Sequence, residues 1–262
     1  MTTLLVLFVL YAVGLSVALG RAGVRSPPTR RTAGSGAAPA SVLVVGATGG
    51  TGRHLVTQAL ERGYRVTAFV RDPSRLGIDH PRLEVARGDV LDPASVQAAM
   101  RGQDAVLCAL GHSRYFGPTR ILSEGTHNLL RAMEEHGATR LVCETSLGIG
   151  DSAGRMGLYY TLFVIPVVLP FYFWDKTRQE RAIAGSGLEW VIVRPGVLTD
   201  GEGRGTCRHG SDVGSYLWTV RVRRADVAAF MLDQLAPDAA YVGRAPGVAS
   251  ARRSPSGSAG PT

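Results

Sequence analysis

The chain is predicted to form a doubly wound α/β sheet, mostly parallel, with helices on both faces. Two observations carry that expectation. Short runs of branched apolar residues alternate with amphipathic, helix-like stretches along most of the sequence. Apart from Thr67, Glu84 and Glu144, those strand-like runs are continuously apolar, as strands covered on both faces are. The chain has 262 residues, is 45% hydrophobic and contains Gly 33 and Pro 14. That suits one domain of about 200 residues with attachments at its ends.

In chain order, the first attachment is residues 3–20, "TLLVLFVLYAVGLSVALG", apolar or small throughout. About 20 such residues suffice to cross a bilayer, so residues 1–21 read as a transmembrane anchor. No positive residue precedes the apolar run, whereas Arg21, Arg25, Arg30 and Arg31 follow it. The positive-inside rule then leaves the body on the cytoplasmic side, membrane-anchored. Ala18 and Gly20 keep a cleaved signal peptide open as the alternative. Residues 22–40 mix Pro, Gly, Ser, Ala and Arg without periodicity, as a flexible basic tether does, and residues 246–262 read as a disordered tail.

Residues 41–245 hold the α/β pattern. Strands are expected at 42–45, 66–70, 83–85, 105–110, 141–144 and 190–193. Helices are expected at 52–62, 93–101, 123–135, 177–184 and 225–235, with Asp92 as N-cap and Pro93 at the first helical position. Lys+Arg 29 against Asp+Glu 21 gives +8, concentrated near the ends, Arg221, Arg223, Arg224, Arg252 and Arg253 included. Uneven charge of this kind points to a membrane surface or solvated tails. No basic helix is interleaved with aromatic residues, so no nucleic-acid partner is expected. The three cysteines have neither metal nor disulfide spacing, so no metal is expected. Cys108 and Cys143 fall in apolar runs, as small buried hydrophobes do.

After the first strand comes Gly46-Ala47-Thr48-Gly49-Gly50-Thr51-Gly52, and then a helix. Glycine serves there for a turn of unusual backbone angles, for close approach to a pyrophosphate and for tight helix-on-strand packing. The helix amides then face the phosphates. The second strand ends "TAFVRDPSRL". An acid there would bind the ribose hydroxyls of NAD, whereas Arg71, with Arg75 close behind, suits the 2′-phosphate of NADP. NADP is the expected cofactor and NAD the alternative, since Asp72 adjoins Arg71.

Together, "VVGATGGTGRHLVTQALERGYRVTAFVRDPSRL", "GDVLD", "GQDAVLCALG", "SEGTHNLLRAMEEHGATRLVCETS" and "SGLEWVIVRPG" resemble the atypical short-chain dehydrogenase/reductase superfamily. Its NmrA-like branch, with flavin reductase/biliverdin-IXβ reductase, is the nearest. The resemblance runs from about Ser41 to Leu235 and implies a Rossmann fold with an NAD(P) site at the carboxyl ends of the strands. It assigns the pyrophosphate to Gly46, Thr48, Gly49, Gly50, Thr51 and Gly52, and the 2′-phosphate to Arg71. Asp89 and Val90 would flank the adenine, and Leu110 and Gly111 would border the nicotinamide ribose. Ser146, in "ETS", matches the family's active-site serine, whose hydroxyl would polarise a substrate carbonyl or hold the nicotinamide amide.

Tyr172-Phe-Trp-Asp-Lys176 has the Tyr-x-x-x-Lys spacing of the wider superfamily, and on a helix that interval puts both side chains on one face. A phenol beside an ammonium can donate a proton as hydride arrives. Tyr172 also lies in an aromatic run, where packing is the other reading. His112 follows the nicotinamide edge as a further candidate acid or as a solvated loop residue. Val197 stands where the flavin/biliverdin reductase has a histidine, so the resemblance does not extend to haem breakdown. Residues 157–174, "GLYYTLFVIPVVLPFYFW", carry no charge and two prolines. They read as a lid over an apolar substrate, a membrane-dipping loop or a subunit contact. The function expected is an NADPH-dependent oxidoreductase acting on a small apolar carbonyl, quinone or flavin. The alternative is a non-catalytic NAD(P) sensor or assembly factor.

Overall fold

In a computed structural model, residues 2–25, 38–112 and 117–251 are described. Most of the tether and the last part of the tail, with Arg30, Arg31, Arg252 and Arg253, lie outside them. The sheet is built from β1 (Ser41–Val45), β2 (Arg65–Val70), β3 (Leu83–Arg87), β4 (Ala105–Cys108), β5 (Arg140–Glu144), β6 (Glu189–Pro195), β8 (Cys207–Gly210) and β10 (Gly247–Ser250). Their order is β3-β2-β1-β4-β5-β6-β10-β8. All neighbours pair in parallel except β10 and β8, which are antiparallel. Two short strands, β7 (Val197–Thr199) and β9 (Arg221–Arg223), pair apart from this sheet.

The order in which the chain adds strands reverses between β1 and β4, which opens a crevice at their carboxyl ends. Alternation of side chains within β1 explains why the run is wholly apolar. Val42 and Val44 enter one core layer with Leu55, Val56 and Met231; Leu43 and Val45 enter the opposite layer with Leu129, Met133 and Ile192. Each such fully buried Val or Leu contributes roughly 1.5–3 kcal/mol. The first layer is covered by α2 (Gly50–Glu61) and α6 (Arg224–Asp233), and the second by α3 (Pro93–Met100), α4 (Ile121–His136) and α5 (Pro170–Ala184). Cys108 and Cys143 are free, fully buried and in register on β4 and β5.

Helix ends follow local chemistry. Asp92 caps α3, its carboxylate accepting from the amides of Ala94 and Ser95 at 3.1 and 3.3 Å, with Pro93 next in line. α4 stops at Gly137, whose φ of 77° is left-handed. Its first amides, of Leu122 and Ser123, donate to the Asp175 carboxylate at 3.0 and 3.2 Å, which fastens α5 to α4.

Three expectations need correction. The tail does not begin at 246: Gly247–Ser250 is β10, and a small-residue strand lacks the branched apolar run that marks the others. The helix expected at 177–184 begins at Pro170, inside the apolar insertion, because proline is tolerated at a first helical position. Residues Tyr160–Val168, just before it, form a π-helical segment. Finally, the tether does not start at residue 22. The N-terminal helix α1 (Thr2–Ala22) is docked on the body through its second half, with Ala12 and Leu19 buried. The Arg194 guanidinium donates to the Val24 carbonyl at 2.8 Å and the Arg181 guanidinium to that of Ala22. A Cβ on Gly23 would lie 2.3 Å from the Gly150 amide nitrogen, so glycine is required for this approach.

Candidate nucleotide and redox site

A cleft of about 450 Å³ lies over the carboxyl ends of β1, β2, β4 and β5. Gly46 turns the chain out of β1 with a φ of 81°, where a Cβ would lie 2.5 Å from the Ala109 carbonyl oxygen. The Gly49 amide donates to the Gly46 carbonyl at 2.9 Å, closing the turn. Gly49 caps α2 without a side-chain bond, so the first amides of the helix face the cleft. A Cβ on Gly52 would stand 2.1 Å from the Gly46 oxygen. The helix sits against the turn only because that position is bare.

Gly46, Thr48, Gly49, Gly50, Thr51, Arg71, Asp89, Val90, Leu110 and Gly111 all line the cleft, and Arg75 joins them. Gly52 does not line it but packs beneath it. Asp72 is turned to another task. Its carboxylate accepts from the Ser74 amide and hydroxyl at 3.1 and 2.7 Å, and those bonds hold it below the usual carboxylate range. It is not among the lining residues.

At the other end, α5 brings Tyr172 and Lys176 into the same cleft with His112. The Tyr172 hydroxyl lies 3.8 Å from where a Cβ on Gly111 would be, at the end of the β4 segment. His112 packs edge-on to the Tyr172 ring at 4.9 Å. The Lys176 ammonium is buried, 5.3 Å from the centre of the Tyr172 ring, and donates to the Glu144 carbonyl at 3.2 Å. Burial pulls the lysine down, but Tyr172, Cys143 and Glu144 together outweigh it and hold the ammonium above its usual range. Glu144 accepts from the Thr51 hydroxyl at 3.2 Å, and burial pushes its carboxyl up against the opposing pull of Lys176 and Thr51.

Ser146 is not brought into the cleft lining, whereas Thr145 is. Successive residues leaving an extended strand face opposite ways, so a position one off the match changes which side chain reaches the site. The Thr145 hydroxyl donates to Glu180 at 2.8 Å, and Glu180 is paired with Arg194 at 2.7 Å, both fully buried. Glu180, one turn beyond Lys176 on α5, is thus committed to Thr145 and Arg194 rather than to the cleft. Two charged lining residues, Glu144 and Arg224, are absent from the sequence-based expectation. An acid ending an apolar parallel strand was the available signal for the first. The Arg224 side chain lies across Gly50, where a Cβ would meet its Cδ at 2.5 Å, and it pairs with Asp200 at 2.6 Å. It was visible only as one of a run of arginines.

The cradle fits a dinucleotide: bare glycines where a diphosphate needs room, helix amides facing them, and guanidinium groups at the adenosine end. Comparison with known proteins agrees with that fit. Residues 46–238 match the model of a family described as NAD(P)H-binding. An uncharacterized chloroplastic protein of Arabidopsis thaliana is 35% identical over 172 residues, 60% of this chain and 59% of that protein. The 3 beta-hydroxysteroid dehydrogenase/Delta 5→4-isomerase of Mycobacterium tuberculosis is 36% identical over 116 residues, 40% of this chain and 31% of that one. The chain thus spans less than two thirds of the length of either relative. A short-chain dehydrogenase/reductase from Veillonella parvula, solved in complex with NADP, superposes with a TM-score of 0.67 at 17% identity, over 81% of this chain and 95% of that one. At that identity the likeness concerns the fold.

Proposed function

This chain belongs to the NAD(P)H-binding family, and on that premise we propose that it is an NADPH-dependent oxidoreductase reducing a small apolar carbonyl, quinone or flavin. The observation that carries the reading is the meeting of Tyr172 and Lys176 with the glycine loop in one cleft, the phenol beside Gly111. When bound, NADPH supplies a hydride. Arg71 and Arg75 hold the 2′-phosphate; the selection of NADPH over NADH is supported by Asp72, whose carboxylate is occupied by Ser74 rather than offered to a ribose. The NADP-bound neighbour of the same fold is consistent with that choice.

Tyr172 holds its proton at the hydroxyl and donates it to the substrate oxygen as negative charge develops there. Lys176, buried and cationic, stabilises the phenolate left behind. Asp175, between them, fixes the rotation of α5 by capping α4, so both side chains keep their aim. Ser146 stands next to this machinery rather than in it. α1 anchors the chain in a membrane with the body on the cytoplasmic side; its docking through Val24 and Ala22 favours a retained helix over a cleaved one.

The test is NADPH oxidation by the purified full chain against a panel of quinones, flavins and apolar carbonyls, comparing wild type with Tyr172→Phe. Turnover lost in the variant, with NADPH affinity unchanged, is the expected result. Tight NADPH binding without turnover of any acceptor would instead favour a nucleotide sensor or assembly factor.

A further inference from the structure

Three segments far apart in sequence present one apolar face. The first is α1, with no charge before Arg21 and with Leu4, Leu7 and Leu10 each more than half exposed. The second is 157–171, whose Tyr159 and Phe163 are 63% and 47% exposed. It packs along α1, and the Tyr11 hydroxyl donates to the Pro166 carbonyl at 3.2 Å. The third is Tyr216-Leu217-Trp218, exposed at 62%, 61% and 76%. It is tied to the second by the Leu158 amide donating to the Leu217 carbonyl at 3.3 Å. Gly154 joins all three: the Thr161 hydroxyl donates to its carbonyl at 3.1 Å, and a Cβ there would lie 3.3 Å from the Tyr216 ring and 3.9 Å from the Ser16 hydroxyl.

Beside Trp218 lies a cavity of about 660 Å³ that shares no lining residue with the nucleotide cleft. Arg204, Arg208, Arg221 and Arg223 line it. Among the described residues, its one lining acid is Asp200, already paired with Arg224. The pattern is that of a membrane interface: apolar surface, then Tyr and Trp, then guanidinium groups.

We propose that this face seats in an anionic phospholipid bilayer, with α1, 157–171 and 216–218 immersed and the arginine-lined cavity taking a lipid phosphate at headgroup level. The occupant is lipid because α1, one third of the face, is itself long and apolar enough to span a bilayer, and the other two segments are joined to it through Pro166 and Leu158, with the Arg155 guanidinium 5.8 Å over the Tyr216 ring at the edge. The inference rests on reading α1 as an anchor. It goes further in making the body itself a membrane-seated part rather than a domain on a string.

The test uses the full chain with Trp174→Phe, reconstituted in phosphatidylcholine vesicles with and without phosphatidylglycerol. Acyl chains brominated near the headgroup quench nearby tryptophan, and Trp190, buried in the core, is the internal background. The emission lost on adding Trp218→Phe defines the Trp218 signal. That signal is expected to fall about twofold or more in anionic vesicles and less in neutral ones, as an interfacial tryptophan does. The combined Arg204→Gln, Arg208→Gln and Arg221→Gln replacement is expected to abolish the difference between the two vesicles. If the chain floats with vesicles while Trp218 is unquenched, α1 is only a tether and the proposal fails, although the anchor reading survives. If the chain does not float, both fail, and the NADPH assay still judges the oxidoreductase reading separately. If soluble glycerol phosphate removes the lipid difference, a free anion is the occupant and the headgroup assignment is overturned. Chain-to-chain cross-linking through Trp218 without quenching would make the face a contact between copies and overturn it too.

Discussion

Replacing Gly52 with alanine should weaken NADPH binding more than the same change at Gly50. The new Cβ would stand 2.1 Å from the Gly46 carbonyl oxygen, against the 3.0 Å that real Cβ atoms respect. The atom in the way is backbone, so the turn after β1 must move by roughly 1 Å in a closely packed setting. In the free protein the loop relaxes outward, and a bound diphosphate then draws it back against the overlap. Overpacking of this kind costs about 1–3 kcal/mol. The corresponding loss of affinity is roughly 5- to 150-fold. Gly50→Ala is the internal comparison: its Cβ meets only the flexible Arg224 side chain, at 2.5 Å from Cδ, and a loss of a few-fold is expected. Calorimetric titration with NADPH reads both variants, and a melting curve confirms that each is folded. A Gly52→Ala protein that binds NADPH within twofold of wild type would refute the argument that this contact shapes the cradle.

Arg71→Ala should cost about 1.5–3 kcal/mol, roughly 10- to 150-fold, in NADPH affinity and leave NADH nearly untouched, as a ratio of two titrations will show. Tyr172→Phe should lower kcat by about 10²- to 10⁴-fold without changing the NADPH dissociation constant, whereas Ser146→Ala stays within several-fold of wild type, both read by steady-state kinetics. Arg194→Met leaves Glu180 buried and uncompensated and should destabilise the fold by about 3–5 kcal/mol in denaturant titration. Glu144 supplies a pH test. Burial raises its folded pKa above the ordinary 4.5, so the stability it confers is fully present below its unfolded pKa and is lost as pH rises through the folded one. The melting temperature of wild type relative to Glu144→Gln should therefore fall as pH is raised from about 4 to neutrality.

Much of this architecture was legible in the sequence for definite reasons. Parallel strands buried on both faces need unbroken apolar runs, and β1, β2, β4, β5 and β6 advertise themselves in that way. The glycines announce the cradle because nothing else fits where Gly46 and Gly52 stand. What was not legible depends on partners distant in sequence. β10 is a strand because β6 and β8 offer ladders on either side of Gly247–Ser250, not because its residues favour extension. Arg224 reaches the cleft because α6 packs beside α2, and its run of arginines says nothing of that. Thr145 rather than Ser146 lines the site because a family match fixes a neighbourhood, while strand alternation decides which neighbour reaches in. The seating of α1 hangs on the Arg194 and Arg181 guanidinium groups, each more than 150 positions further along the chain.

That seating has a practical consequence for anyone preparing a soluble version. Deleting everything through Arg25 strips two carbonyl acceptors from Arg194 and Arg181 and bares the greasy hollow that Leu19 plugs against Leu147, Ile149, Met156 and Phe173. Such a trimmed protein should clump or need detergent for a reason unrelated to membranes. Keeping the latter half of the leading helix, and exchanging its outward leucines and valines for polar residues, is the better route to material that stays dispersed in buffer.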